Sequence, residues 1–191
     1  MNSKLTSKLK EDFFITLYFN TSKGFENAGL RRAYLDFNRT LKIKDKNQVN
    51  RNIIQSKTQE FLKVELLVLI DKDIQSQVDF DAEHKSLCNK LIEQWTELSF
   101  GQAQKWINMT LKYWFLLGED RIKSITKNCS YFHIPIDSYV QKGMFKESSP
   151  KPWSKINNYD DYFKYQLIHR EKESKNSPLI DEFIFFNNYE K

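Results

Sequence analysis

The sequence predicts an all-α chain folded as a compact single domain over residues 1–191, with seven or eight helices, and three observations lead there. Helix breakers are scarce, with 5 Gly and 4 Pro among 191 residues, so long uninterrupted helices are favoured. Apolar residues recur at three- and four-residue intervals over most of the chain instead of alternating. Side chains suited to capping precede several of these runs, among them Asp81, Asp137, Asn157 or Asn158, and Ser177 followed by Pro178. A hydrophobic share of 40% and an aromatic share of 15% supply enough large side chains for one core.

Taken in order, Leu5, Leu9, Phe13 and Leu17 fall four residues apart and predict a helix over 3–19, although the β-branched and aromatic run Phe13 to Phe19 also suits a strand. Ala28, Leu30, Ala33, Tyr34, Phe37 and Leu41 line one broad face of a second helix, with Arg31, Arg32 and Arg39 off that face. Polar residues 42–52 read as a loop. Ser56 or Thr58 is the expected cap of an apolar helix over 59–70, and Asp81 that of the next, which carries Leu87, Cys88, Leu91, Ile92, Trp95 and Leu98. From Ala103 to Leu117 apolar residues occur on nearly all sides. That segment is therefore a buried helix, with Lys105, Asn108 and Lys112 on one polar stripe and Gly118 ending it. Residues 119–131 predict a short helix that turns Ile122 and Ile125 inward and leaves Arg121, Lys123 and Lys127 outside. Asp137 caps a helix through Val140 to Met144, residues 147–152 form a Ser and Pro loop, and two further helices follow, to about Lys172 and from Pro178.

Net charge is +5, from 30 basic and 25 acidic residues, which permits a nucleic-acid partner without demanding one, since the basic residues are spread along the chain. Cys88 and Cys129 lack any C-x-x-C partner or flanking histidine pattern, so neither a zinc site nor an iron–sulfur cluster is expected. His84, His133 and His169 are isolated, and Asp79 with Asp81 has no third ligand, so no metal is expected. With no apolar run near 18 residues and no signal-peptide pattern, the expected setting is the cytoplasm, with no membrane partner, as a monomer.

The chemistry concentrates between Ser99 and Tyr139. Trp95, Leu98 and Phe100 lead into Gly101, where a tight turn or a close backbone approach is expected, and then into a helix with Lys105 in its first turn. Lys105, Asn108 and Leu111 spell K-x-x-N-x-x-L. Downstream, Ile134-Pro135-Ile136-Asp137-Ser138-Tyr139-Val140 keeps Ile134 extended ahead of a helix start.

In these motifs the chain resembles the helix-hairpin-helix DNA glycosylase superfamily, the endonuclease III and 8-oxoguanine glycosylase types. Its 32-position separation of Lys105 from Asp137 is most similar to the archaeal 8-oxoguanine glycosylase type. Ser99 to Lys105 stands where the family has its hairpin and catalytic lysine, with Phe100 in place of the family's proline and Ala103 in place of its second glycine. The Ile-Pro-Ile-Asp segment matches the one that supplies the family's catalytic aspartate. The resemblance covers about 40 residues and leaves the first 80 unassigned.

The resemblance implies a helix-hairpin-helix over 82–117 and a catalytic-aspartate helix start over 134–145. It implies base excision from double-stranded DNA carrying a damaged or modified base, with or without AP lyase activity. Lys105 would attack the sugar C1′ and form a Schiff base, and Asp137 would stabilise positive charge on the sugar. Gly101, Gln102, Ala103 and Gln104, with Lys112, would hold DNA. Trp106, Trp114, Tyr139, Trp153, Phe183 and Phe186 are candidates to stack on the extruded base. The alternative is a helix-hairpin-helix protein that binds DNA without catalysis.

Overall fold

A computed structural model describes residues 6–42, 47–172 and 176–189. Among them there are seven α-helices, α1 (Ser7–Tyr18), α2 (Phe25–Phe37), α3 (Gln48–Asp71), α4 (Gln77–Gln94), α5 (Phe100–Leu117), α6 (Tyr159–Arg170) and α7 (Pro178–Asn188), and one π-helical turn at Val140–Met144. No strand occurs among these residues, so the all-α expectation holds.

Helix α5 is the axle of the molecule. Of its 18 residues only Phe115 and Leu116, with Phe100 at its start, are not buried, which is what its all-round apolar sequence requires. Against it lies α2, close enough that two tryptophans of α5 donate to carbonyls of α2: Trp106 Nε1 to Leu30 O at 3.2 Å and Trp114 Nε1 to Glu26 O at 3.0 Å. The approach depends on Gly29, where a Cβ would stand 2.5 Å from the Trp114 ring. Tyr34, Phe37 and Trp95 close around Trp106. Both indoles are thus fully buried, and their expected place in a base pocket is corrected to the core.

Several element starts differ from expectation because side chains found other partners. Helix α3 begins at Gln48, with Asn47 as cap, so neither Ser56 nor Thr58 caps it; Thr58 is buried within the helix. Helix α4 begins at Gln77 under a Ser76 cap, which leaves Asp81 free to turn inward from the second turn. Helix α5 begins at Phe100, not near Ala103, because Ser99 and Gln102 form a reciprocal capping box. Gly101 therefore sits inside the helix and not in a hairpin turn. The face expected on α1 is also corrected. Leu9, Phe13 and Leu17 point to solvent while Ile15 packs on the core, and Leu5 lies outside the described residues. Gly118 (φ 81°), Asn158 and Ser177–Pro178 occupy the expected helix ends. Residues 119–131 form turns and a 3-10 turn with Ile122 and Ile125 buried. Arg121 is engaged by Glu11 at 2.9 Å and Asp12 at 2.8 Å, and Lys127 donates to Asp71 O.

Candidate functional site

Lys105 and Asp137 meet. Nζ of Lys105 donates to Asp137 Oδ2 at 2.6 Å, while Asp137 Oδ1 accepts the Val140 N–H at 2.9 Å and caps the helical turn that follows. Burial alone would raise the Asp137 carboxyl. The Lys105 charge and hydrogen bond and the Val140 and Tyr139 amides outweigh it and hold the group below the ordinary carboxylate range.

The pair is set by an extended strap, 133–137, locked to two helices by two glutamines. Gln166 of α6 accepts the Ile134 N–H (3.1 Å) and donates to its carbonyl (2.9 Å). Gln104 of α5 does the same to Ile136, at 3.2 and 2.8 Å. Gln104 is neighbour to Lys105 and Ile136 is neighbour to Asp137, so this clamp sets the register between the two functional groups.

Behind the strap runs a buried polar chain. Arg170 makes two bonds to Asp81, at 2.7 and 2.8 Å, and Asp81 Oδ1 lies 2.8 Å from His133 Nε2. With that nitrogen donating, His133 Nδ1 accepts from Tyr162 (2.8 Å), Tyr162 accepts from Asn108 (2.9 Å), and the Asn108 carbonyl accepts from His84 Nε2 (2.9 Å). The second Asn108 proton goes to Gln104 Oε1 at 3.1 Å, which links the chain to the clamp. Burial pushes both imidazoles below their ordinary value. For His133 the bond to Asp81 opposes this, and for His84 a proton on His133 would add to it. Asp81 is held far below the carboxylate range: burial works against it, and the His133 and Arg170 bonds prevail.

The Lys105–Asp137 pair opens onto a cavity of about 530 Å³. Helix α5 contributes Lys105, Met109, Lys112, Tyr113 and Leu116, α2 and the turn after it Arg32, Asp36 and Arg39, and α7 Glu182, Phe183, Phe186 and Asn187. Tyr18, Ser138, Tyr139 and Trp153 complete the lining. Four of the six aromatic candidates, Tyr139, Trp153, Phe183 and Phe186, are therefore around the pair. A second buried ion pair faces the same cavity: Lys112 Nζ holds Glu182 Oε1 and Oε2 at 2.7 and 2.6 Å, under the Phe183 and Phe186 rings. Engaged there, Lys112 is not a surface contact for phosphate.

The first turn of α5 is also not available to phosphate. The Gly101 N–H donates to Ile156 O at 3.0 Å, the Gln102 N–H to Ser99 Oγ at 3.1 Å and the Ala103 N–H to Ser99 O at 2.9 Å. Residues 153–156 lie directly on this turn, and a Cβ on Gly101 would fall 1.8 Å from Trp153 O. Gly101, Gln102, Ala103 and Gln104 are all buried, so their expected role in holding DNA is corrected to packing and positioning. Gln166, Glu182 and Arg32 went unnoticed as site or network residues in the sequence, where each has the spacing of an ordinary helix-surface position.

No helix among the described residues is long and apolar enough to cross a membrane, and these residues contain no group of three or more His, Cys, Asp or Glu side chains fit to hold a metal. Comparison with protein-family models, with curated proteins and with solved structures finds no match to this chain.

Proposed function

We propose that this protein is a DNA glycosylase that excises a damaged or modified base through Lys105, with Asp137 as its charge partner. The observation that carries the reading is the 2.6 Å contact between Lys105 Nζ and Asp137 Oδ2 beside an aromatic-walled cavity of about 530 Å³, large enough for an extruded nucleobase. The K-x-x-N-x-x-L and Ile-Pro-Ile-Asp motifs agree with it.

The steps follow from these groups. Asp137 takes a proton from Lys105 across the short hydrogen bond. The freed amine attacks C1′, the glycosidic bond breaks, and its electron pair leaves with the base, which is then protonated. Asp137 gives its proton to the departing base and, ionised again, faces the positive charge of the sugar–lysine adduct. Loss of a second amine proton and opening of the sugar ring give the imine. Abstraction of a C2′ proton then expels the 3′ phosphate, the AP lyase step. Tyr139, half exposed, and Trp153 offer ring faces to a flipped base, whose extrusion costs a few kcal/mol, least for damaged or mispaired bases.

The test is borohydride trapping on duplexes carrying a panel of damaged and modified bases. An imine is reduced to a stable covalent complex, whereas a lysine that only holds phosphate gives none. The reading expects a trapped complex with the native protein, none with Lys105→Gln, and base release slowed by orders of magnitude in Asp137→Asn with DNA binding retained. Base release by Lys105→Gln at the native rate would overturn the lysine mechanism.

A further inference from the structure

With the Gly101, Gln102 and Ala103 amides of α5 consumed internally, a DNA-binding reading of the cavity requires another surface to grip phosphates, and one strongly charged patch stands beside it. We infer that the lysine-bearing loop from Lys142 to Lys155, together with Arg39 and Lys42, is the phosphate-gripping surface of this protein for duplex DNA. The inference names the partner surface of the site proposed above and rests on that reading for the identity of the polyanion.

Charge is segregated on this loop and on the turn after α2. Residues 138–156 hold Lys142, Lys146, Lys151 and Lys155 against one acid, Glu147, and residues 38–42 hold Arg39 and Lys42 with none. All six cations are exposed. Among the described residues, only Lys151 of the six touches an acid, Asp161, at 3.6 Å between exposed groups. Glu147 is turned inward, its carboxylate accepting the Tyr165 hydroxyl at 3.1 Å. The loop therefore presents cations outward and withdraws its single anion.

The loop is also built to hold its shape. Gln141 donates to Lys151 O at 3.0 Å and to Tyr165 Oη at 2.8 Å, and the Glu147 N–H returns to Gln141 O at 3.1 Å, so the segment is closed at its base. Gly143 passes beneath Phe185 and Tyr189, where a Cβ would come within 2.4 Å of the Phe185 ring.

Position ties the patch to the site. The loop leaves Asp137 through Tyr139 and returns at Trp153, and both aromatics line the cavity. Its far end is fastened to the start of α5 by Ser99 Oγ donating to Ser154 O (2.8 Å), while Gln102 of the same turn donates to Thr40 O and Thr40 Oγ1 (both 3.0 Å). One helical turn thus holds Lys155 on one flank and Arg39 and Lys42 on the other. Cations on two flanks of an aromatic cavity suit a duplex whose backbone runs past the opening while one nucleotide enters.

The experiment compares two triple variants of equal net charge, binding an undamaged double-stranded oligonucleotide across a salt series. Lys142→Gln, Lys146→Gln and Lys155→Gln are combined in one. The other combines Lys8→Gln, Lys10→Gln and Lys57→Gln, exposed lysines on α1 and α3. Each phosphate contact contributes roughly 0.9 to the slope of log affinity against log salt. The loop variant is expected to lower that slope by about 0.9 per contacting lysine, with its thermal melt unchanged, and the control variant to leave it near the native value. Equal losses in both variants, or an unchanged slope in the loop variant, would overturn the assignment. Undamaged duplex needs no lysine chemistry, so the two ideas fail separately. A lowered slope with no base release on any substrate keeps the surface and sinks the glycosylase. Base release with an unchanged slope does the reverse.

Discussion

The carboxamide of Gln104 closes two hydrogen bonds on the main chain of Ile136 while giving its second amide proton to Gly101 O at 2.9 Å and its second lone pair to Asn108. Four of four hydrogen-bonding positions are filled, in a fully buried side chain. The residue that sequence reading placed against DNA is thus the joint that sets Lys105 opposite Asp137.

Gln104→Ala leaves the Ile136 N–H and carbonyl buried without partners, at about 1–3 kcal/mol for each unsatisfied group. A urea melt should show this loss. Gln104→Glu keeps the acceptor for the Ile136 N–H and loses both donors, so its trapping rate should fall further than its stability accounts for. Native trapping at full rate by either variant would show that the clamp does not position the pair.

Lys112 and Glu182 form the most buried ion pair among the described residues. Lys112→Met strands a carboxylate and Glu182→Leu strands an ammonium, and each should cost about 3–5 kcal/mol. The double variant should recover most of that, because replacing both partners removes the desolvation penalty with the attraction. Additive losses in the double-mutant cycle would mean that the two charges are not coupled.

Gly101→Ala places a methyl against the Trp153 carbonyl, which is backbone and has little room to yield. A loss of about 1–3 kcal/mol is expected from overpacking. The fluorine resonance of Trp153 in fluorotryptophan-labelled protein, assigned with Trp153→Phe, should shift as the 153–156 turn moves off α5. An unshifted spectrum and a native melt would mean that the turn is not seated there.

Stability should fall on acidification in two stages. The unfolded chain takes up protons on His84 and His133 below about pH 6.5, while the buried neutral imidazoles resist protonation, so stability drops as the pH falls below that value. Asp81 and Asp137 are held below the ordinary carboxylate range. Their contribution is complete above about pH 3.9 and is lost as the pH falls from there through their folded values. Melting temperatures that stay level from about pH 7 to about pH 5 would contradict two buried neutral histidines.

By itself the sequence determined the helical class, the burial of α5, the cap at Asp137 and the helix starts at Asn157 or Asn158 and at Ser177–Pro178, and the motif resemblance singled out Lys105 and Asp137. Each rests on spacing within one helix or on a few neighbouring residues, where periodicity and capping chemistry act locally. Tertiary structure decided what each polar or aromatic side chain on those helices does. Asp81 has the character of a cap, yet Ser76 stands at the helix start and Arg170, 89 positions on, claims the carboxylate. Trp106 and Trp114 have the same sequence character as Trp153, and only the close approach of α2 at Gly29 separates core indoles from a cavity wall. The start of α5 has the composition of a phosphate site until residues 153–156 fold onto it and Ile156 O takes the Gly101 amide, with Ser99 taking the next two. Partners brought together from across the chain settle such questions, because a buried hydrogen-bonding group must be satisfied by whatever the fold sets beside it.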